Sequence, residues 1–150
     1  VIPSLISKAI SCDGTLKVWG DGSPIRDFLY ADDCALGMKL ALEKNINEPV
    51  NLGSGIGVSV KQIVDIIIKN LPEKKINVEW DVNKPSGDKI RLMNIDKISS
   101  FGFKVSVSID EGIKMLMKNI NEWEKAPVWT PESIEQATKD WFKYLKKNEH

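Results

Sequence analysis

Trp19 closes the run Leu16-Lys17-Val18-Trp19, the turn cluster Gly20-Asp21-Gly22-Ser23-Pro24 follows, and Arg26 comes next but one. An indole can lie flat against a planar ring. Glycines at a turn let the backbone come close to such a partner. A guanidinium can fork onto a phosphate through paired N–H groups. Lys84 and Arg91 flank a second loop, Lys84-Pro85-Ser86-Gly87-Asp88, and supply further cations. The helix opening at Pro3 offers the unpaired N–H groups that favour anions. Singly, each residue has a plainer reading: Trp19 as a core or interface residue, Arg26 as half of a surface ion pair, Lys84 as a solvated charge.

The residues for proton transfer or nucleophilic attack do not assemble. The single histidine is His150, at the chain end, so no Ser-His-Asp or Cys-His set can be built. Tyr30 and Tyr144 are followed four residues later by Cys34 and Asn148, not by lysine. Asp32 and Asp33 are neighbours whose side chains diverge on a helix, and they read as caps. Gly53-Ser54-Gly55-Ile56-Gly57 lacks the Gly-x-Gly-x-x-Gly spacing of a dinucleotide loop and reads as a tight turn. The pattern is one for binding, with no catalytic machine in view.

Behind these residues the chain predicts alternating helices and short strands. Leu5, Ile6, Ala9 and Ile10 form the apolar stripe of a first helix, stopped at Gly14. Residues 16–19 and 26–30 predict short strands, and a helix capped by Asp32 or Asp33 runs to about Lys44. Residues 49–52 predict a buried strand. Ser59 and Gln62 form a capping box for a helix over 60–71. Residues 76–80 alternate as a half-exposed strand does. A short helix over 95–101 ends at Gly102. Ser108 and Glu111 cap a helix that continues to Trp123. Thr130-Pro131-Glu132 opens a last helix carrying Trp141 and Phe142, aromatics that, with Trp129, suit docking against a partner. About six helices with short strands, in an order that is not a regular βαβ series, predict an α/β class and a small mixed domain.

Composition bounds the function classes. The 150 residues carry 42% hydrophobic and 28% charged side chains, as one ordinary globular domain does. Basic and acidic residues balance at 21 each, which argues against nucleic-acid binding. No apolar run reaches the length of a membrane span. Cys12 and Cys34 read as small buried thiols, and the expected setting is a reducing cytoplasm. The chain opens directly on an amphipathic helix without a methionine, which reads as a fragment of a longer protein.

Taken together, Val1-Ile2-Pro3, Lys17-Val18-Trp19-Gly20-Asp21-Gly22, Arg26-Asp27-Phe28-Leu29-Tyr30-Ala31-Asp32-Asp33, Asn51-Leu52-Gly53-Ser54-Gly55 and Lys84-Pro85-Ser86-Gly87-Asp88 resemble the carboxy-terminal half of NAD(P)-dependent nucleotide-sugar epimerases and dehydratases. These are extended short-chain dehydrogenase/reductases. The tryptophan of Val18-Trp19-Gly20 and the Lys84-Pro85 loop are most similar to the GDP-L-fucose synthase branch. The resemblance covers residues 1–123 as a nucleotide-sugar-binding domain and leaves 124–150 as a helical extension.

The resemblance implies an isomerase or oxidoreductase whose amino-terminal Rossmann domain, absent from this chain, holds NAD or NADP and the proton-transfer residues. It implies a GDP- or UDP-linked sugar as substrate, and it leaves a homodimer open. Trp19 would contact the nucleotide, Arg26 the diphosphate or ribose, Arg91 the diphosphate, and Lys84 would add a cation. Val1 would line the nucleotide cleft. Asn94 stands where many relatives have aspartate, a change expected at a helix cap, and Asp27 and Asp32 are expected to lock the fold. The chain alone would be inactive. The alternative is a free-standing nucleotide-sugar-binding module or an interaction domain.

Overall fold

Pro3 sits in the first turn of a helix whose apolar residues recur on one side, and the chain accordingly forms α1, Ile2–Ser11. A computed structural model describes residues 1–84, 87–125, 133 and 136–139 of the protein. The elements then follow as β1 (Thr15–Trp19), β2 (Ile25–Asp27), α2 (Ala31–Glu43), β3 (Gly57–Ser59), α3 (Val60–Lys69), β4 (Asn77–Asp81), β5 (Ile90–Arg91), α4 (Asp96–Ser100) and α5 (Ile109–Lys118). A 3-10 helix, Ile120–Lys125, ends this series. The class is α/β, as the pattern predicts.

Among the described residues the strands form two small sheets. β1 pairs with β4 in parallel, Thr15 opposite Asn77 through Trp19 opposite Asp81. In the other sheet β2 is central, antiparallel to β3 and parallel to β5, with Ile25 opposite Ile90 and Arg26 opposite Arg91. Between β1 and the helices lies the core: Leu5, Ile6 and Ala9 of α1, Leu16 and Val18 of β1, Ile63, Val64 and Ile67 of α3, and Ile113 of α5. Each large aliphatic side chain removed from water this way contributes roughly 1.5–3 kcal/mol. Ile10 is not part of it: the core face of α1 is Ile2, Leu5, Ile6 and Ala9, and Ile10 turns to solvent.

The two capping boxes form as read. The Ser59 hydroxyl accepts from Gln62 N–H while the Gln62 side chain accepts from Ser59 N–H. Ser108 and Glu111 repeat the arrangement at α5. Asn94 accepts the Asp96 N–H at 3.0 Å and so tightens the approach to α4.

Other expectations change. α2 has Tyr30 as its N-cap, and neither Asp32 nor Asp33 caps it. Asp33 turns inward instead, fully buried, and Asp32 stays exposed, so the locking role expected of Asp32 belongs to its neighbour. The strand expected over 26–30 ends at Asp27, because Phe28, Leu29 and Tyr30 lead into α2 rather than along a partner. Residues 49–52 form no strand. Leu52 packs instead under Gly37 of α2, where a Cβ would lie 2.6 Å from the leucine. Cys12 and Cys34 are half-buried rather than buried. Of the expected last helix, residues 133 and 136–139 are helical, and Trp129, Trp141 and Phe142 lie outside the described residues.

Candidate functional site

The candidate residues fall into two groups: Trp19 closes β1 in one sheet, with Lys84 over its ring, and Arg26 and Arg91 sit on β2 and β5 of the other. Trp19 ends β1, and Gly20 continues the pairing by donating to the Asp81 carbonyl at 2.8 Å. The following turn is built from its own side chains: the Asp21 carboxylate accepts the Ser23 N–H and hydroxyl at 2.9 and 2.8 Å. Those bonds hold the Asp21 carboxyl below its usual range. The carbonyls of Gly22 and Pro24 accept the Lys61 and Val60 N–H groups. The turn therefore ties the end of β1 to the first turn of α3.

Gly22 does have the close neighbour its type predicts, but the neighbour is protein. It adopts φ 77°, and a Cβ there would meet the Trp80 ring at 2.5 Å. Only glycine suits both the left-handed backbone and that contact. The half-buried Trp19 indole carries the Lys84 ammonium 5.1 Å from its ring centroid, within the range of a cation–π attraction.

Arg26 and Arg91 leave adjacent parallel strands as register partners. Two cations at one rung repel unless acids or carbonyls answer them. Arg26 Nη1 donates to the Ile25 carbonyl at 2.8 Å and to the Asp88 carbonyl at 2.7 Å. Arg91 Nη2 donates to Asp88 Oδ2 at 2.6 Å, an ion pair whose side chains are 70% and 61% exposed. Asp88 thus answers both arginines, one through its backbone and one through its carboxylate. Its one local mark in the sequence is its place, an acid three residues before Arg91 in a glycine-bearing loop.

Two further carboxylates fasten distant segments of the chain to each other. Asp27, next to Arg26, accepts the Ser54 N–H and hydroxyl at 2.7 and 2.6 Å, the Gly55 N–H at 3.0 Å and the Met93 N–H at 3.3 Å. Burial raises its pKa, but the Ser54, Gly55 and Met93 bonds outweigh that and hold it below the usual carboxylate range. Its locking role, expected from the sequence, is thus visible. It also explains the 53–57 loop, whose N–H groups at Ser54 and Gly55 point at Asp27 and are not a cradle for a dinucleotide. Asp33 accepts from Ser106 N–H and hydroxyl and from Val107 N–H at 3.0 Å, fastening α2 to the start of α5. Here too burial raises the pKa and the Ser106 and Val107 bonds lower it further.

Val1 is the N-cap of α1, exposed, its carbonyl accepting the Leu5 N–H at 3.0 Å. Its neighbour Ile2 lines an apolar cavity of about 240 Å3 with Phe28, Tyr30, Ile109, Ile113 and Leu116. Trp19, Arg26, Lys84 and Arg91 take no part in that cavity. Among the described residues no group of three His, Cys, Asp or Glu side chains could hold a metal ion, and no helix is long and apolar enough to cross a membrane.

Residues 1–53 match the model of the NAD dependent epimerase/dehydratase family. GDP-L-fucose synthase of Sinorhizobium fredii is 32% identical over 118 residues, which is 75% of this chain and 37% of that protein. GDP-L-fucose synthase 1 of Arabidopsis thaliana is 35% identical over 97 residues, 64% of this chain and 30% of that protein. UDP-glucuronic acid 4-epimerase from Bacillus cereus, solved with UDP-glucuronic acid and NAD, superposes with a TM-score of 0.69 at 28% identity, over 81% of this chain and 39% of that one. The chain belongs to the NAD dependent epimerase/dehydratase family. It spans little more than a third of the length of the curated relatives it matches first.

Proposed function

We propose that this chain binds and positions the nucleotide-sugar substrate of an NAD(P)-dependent epimerase, dehydratase or reductase, a GDP-L-fucose synthase-like enzyme or a related 4-epimerase. The observation that carries the reading is the register pairing of Arg26 with Arg91, and the Lys84 ammonium over the Trp19 indole supports it. Two guanidiniums from adjacent strands suit the oxygens of a diphosphate, and the indole suits the base or ribose. Residues 1–123 make up the binding domain and 124–150 an extension. In this reading the chain is the carboxy-terminal part of the enzyme.

The loop that comes nearest to a dinucleotide motif does not fit NAD(P), because its Ser54 and Gly55 N–H groups are committed to Asp27. A preceding Rossmann domain would hold the cofactor and supply hydride transfer. What this chain's own side chains contribute is neutralisation of the diphosphate and orientation of the sugar toward that domain.

Arg91→Ala tests the reading better than Arg26→Ala, because Arg26 also pins the Asp88 backbone. In the full-length enzyme, UDP or GDP is expected to raise the melting temperature by mass action. Arg91→Ala is expected to weaken that binding by about 1.5–3 kcal/mol, the range for hydrogen bonds to charged groups. Unchanged binding by the variant, or no response to either nucleotide, would remove the assignment.

A further inference from the structure

We infer that the Asp88 carboxylate is a built-in competitor for the anion on Arg91, and so sets how tightly a nucleoside diphosphate is held. The inference rests on the proposed nucleotide-sugar site. Carboxylate and phosphate oxygens seek the same guanidinium N–H groups, and Asp88 Oδ2 already sits 2.6 Å from Arg91 Nη2. An arriving diphosphate therefore exchanges with a carboxylate instead of meeting a bare cation. Only the difference between the two contacts adds to affinity.

The exposure of the pair makes the exchange feasible. With side chains 70% and 61% exposed, the ion pair is solvated and weakly held. It also has a reason to exist without ligand, since Arg26 and Arg91 share one rung of the sheet and their repulsion needs an acid nearby. A ligand bearing one carboxylate offers Arg91 nothing that Asp88 does not. A diphosphate brings more charge and several oxygens, so the competitor screens out weaker anions.

The geometry supplies a clean variant. Asp88 holds Arg26 through its backbone carbonyl, which survives any side-chain change. Asp88→Asn thus removes the competing charge and leaves the loop's other tie in place. In the full-length enzyme, titration calorimetry with UDP and with GDP is expected to show binding tightened by about two- to fivefold, the range of an exposed ion pair. Uridine and guanosine should bind the variant and the parent alike. In an Arg91→Gln background, Asp88→Asn should bring no gain, because the contact it frees is gone. Asp88→Ala should move diphosphate binding in the same direction as Asp88→Asn.

Unchanged or weaker diphosphate binding by Asp88→Asn, or an equal gain in the Arg91→Gln background, would overturn the inference. If Arg91→Ala itself leaves diphosphate binding intact, the site assignment fails first. If Arg91→Ala weakens binding while Asp88→Asn changes nothing, only the role of Asp88 fails.

Discussion

α2 and α3 are both rich in aliphatic side chains and use them in opposite ways. On α3 the apolar residues Ile63, Val64 and Ile67 fall on one face and are fully buried, while Lys61, Asp65 and Lys69 turn to solvent. On α2 the apolar residues run round the helix. Leu36, Met38 and Leu42 are 54%, 55% and 79% exposed, and the buried positions are Asp33 and Gly37. A helix that is apolar all round belongs in an interior with neighbours on every side. The chain supplies α2 with neighbours on one side, through Leu52 and Phe103 at Gly37 and through Ser106 and Val107 at Asp33. Hydrophobic pattern thus reports which face is apolar, and it does not report what covers that face.

The largest expected effect is on α3. Ile67→Ala should destabilise the protein by about 2–5 kcal/mol in denaturant titration, since it opens a cavity in a fully buried site. A cost below about 1 kcal/mol would mean that α3 is not the anchor and that the contrast with α2 is wrong.

Asp33→Asn comes next. It exchanges a carboxylate that accepts from Ser106 and Val107 for an amide, at a cost of about 1.5–3 kcal/mol per lost charged bond. The same residue carries a pH dependence. Its folded pKa is lowered, so its contribution is complete above the ordinary carboxylate value of about 3.9 and is lost as pH falls through the folded value. Asp27 acts with the same sign. Asp33→Asn should therefore flatten the acid limb of the stability curve. An unchanged acid limb would show that the α2 attachment does not depend on charge.

Ser59→Ala removes the cap of α3 and should cost about 1 kcal/mol, read as a shift in the denaturation midpoint. Leu42→Ala, at the exposed end of α2, should change the stability of this chain by less than about 0.5 kcal/mol. In a full-length enzyme the same change should cost more wherever another domain lies on α2. Equal effects in both would show that α2 stays bare.

What could be read beforehand follows how local each feature is. The capping boxes at Ser59 and Ser108 were legible because cap and partner are three residues apart. The candidate cations were legible as residue types, but the Arg26–Arg91 rung was not, because parallel register joins distant stretches of chain. Asp32 and Asp33 show a finer limit. Adjacent helix positions differ by about 100° around the axis, so which acid turns inward is set by Ser106 and Val107, far along the sequence. Residues 49–52 misled for a related reason. A short apolar stretch without alternation is equally suited to a strand or to filling space under Gly37.

The parallel pairings of β1 with β4 and β2 with β5 also bear on the order in which the molecule assembles. Their partners, Thr15 with Asn77 and Arg26 with Arg91, are separated by long stretches of chain that carry α2 and α3. Contacts that close long loops form late, because the chain entropy they cost precedes their reward. Capped helices such as α3 and α5 need no such closure. The Arg26–Arg91 rung is therefore expected to be among the last parts to form. If this rung holds the nucleotide as proposed, nucleotide binding distinguishes finished molecules from unfinished ones. Stopped-flow refolding should show ligand binding appearing with the slowest folding phase and not before it.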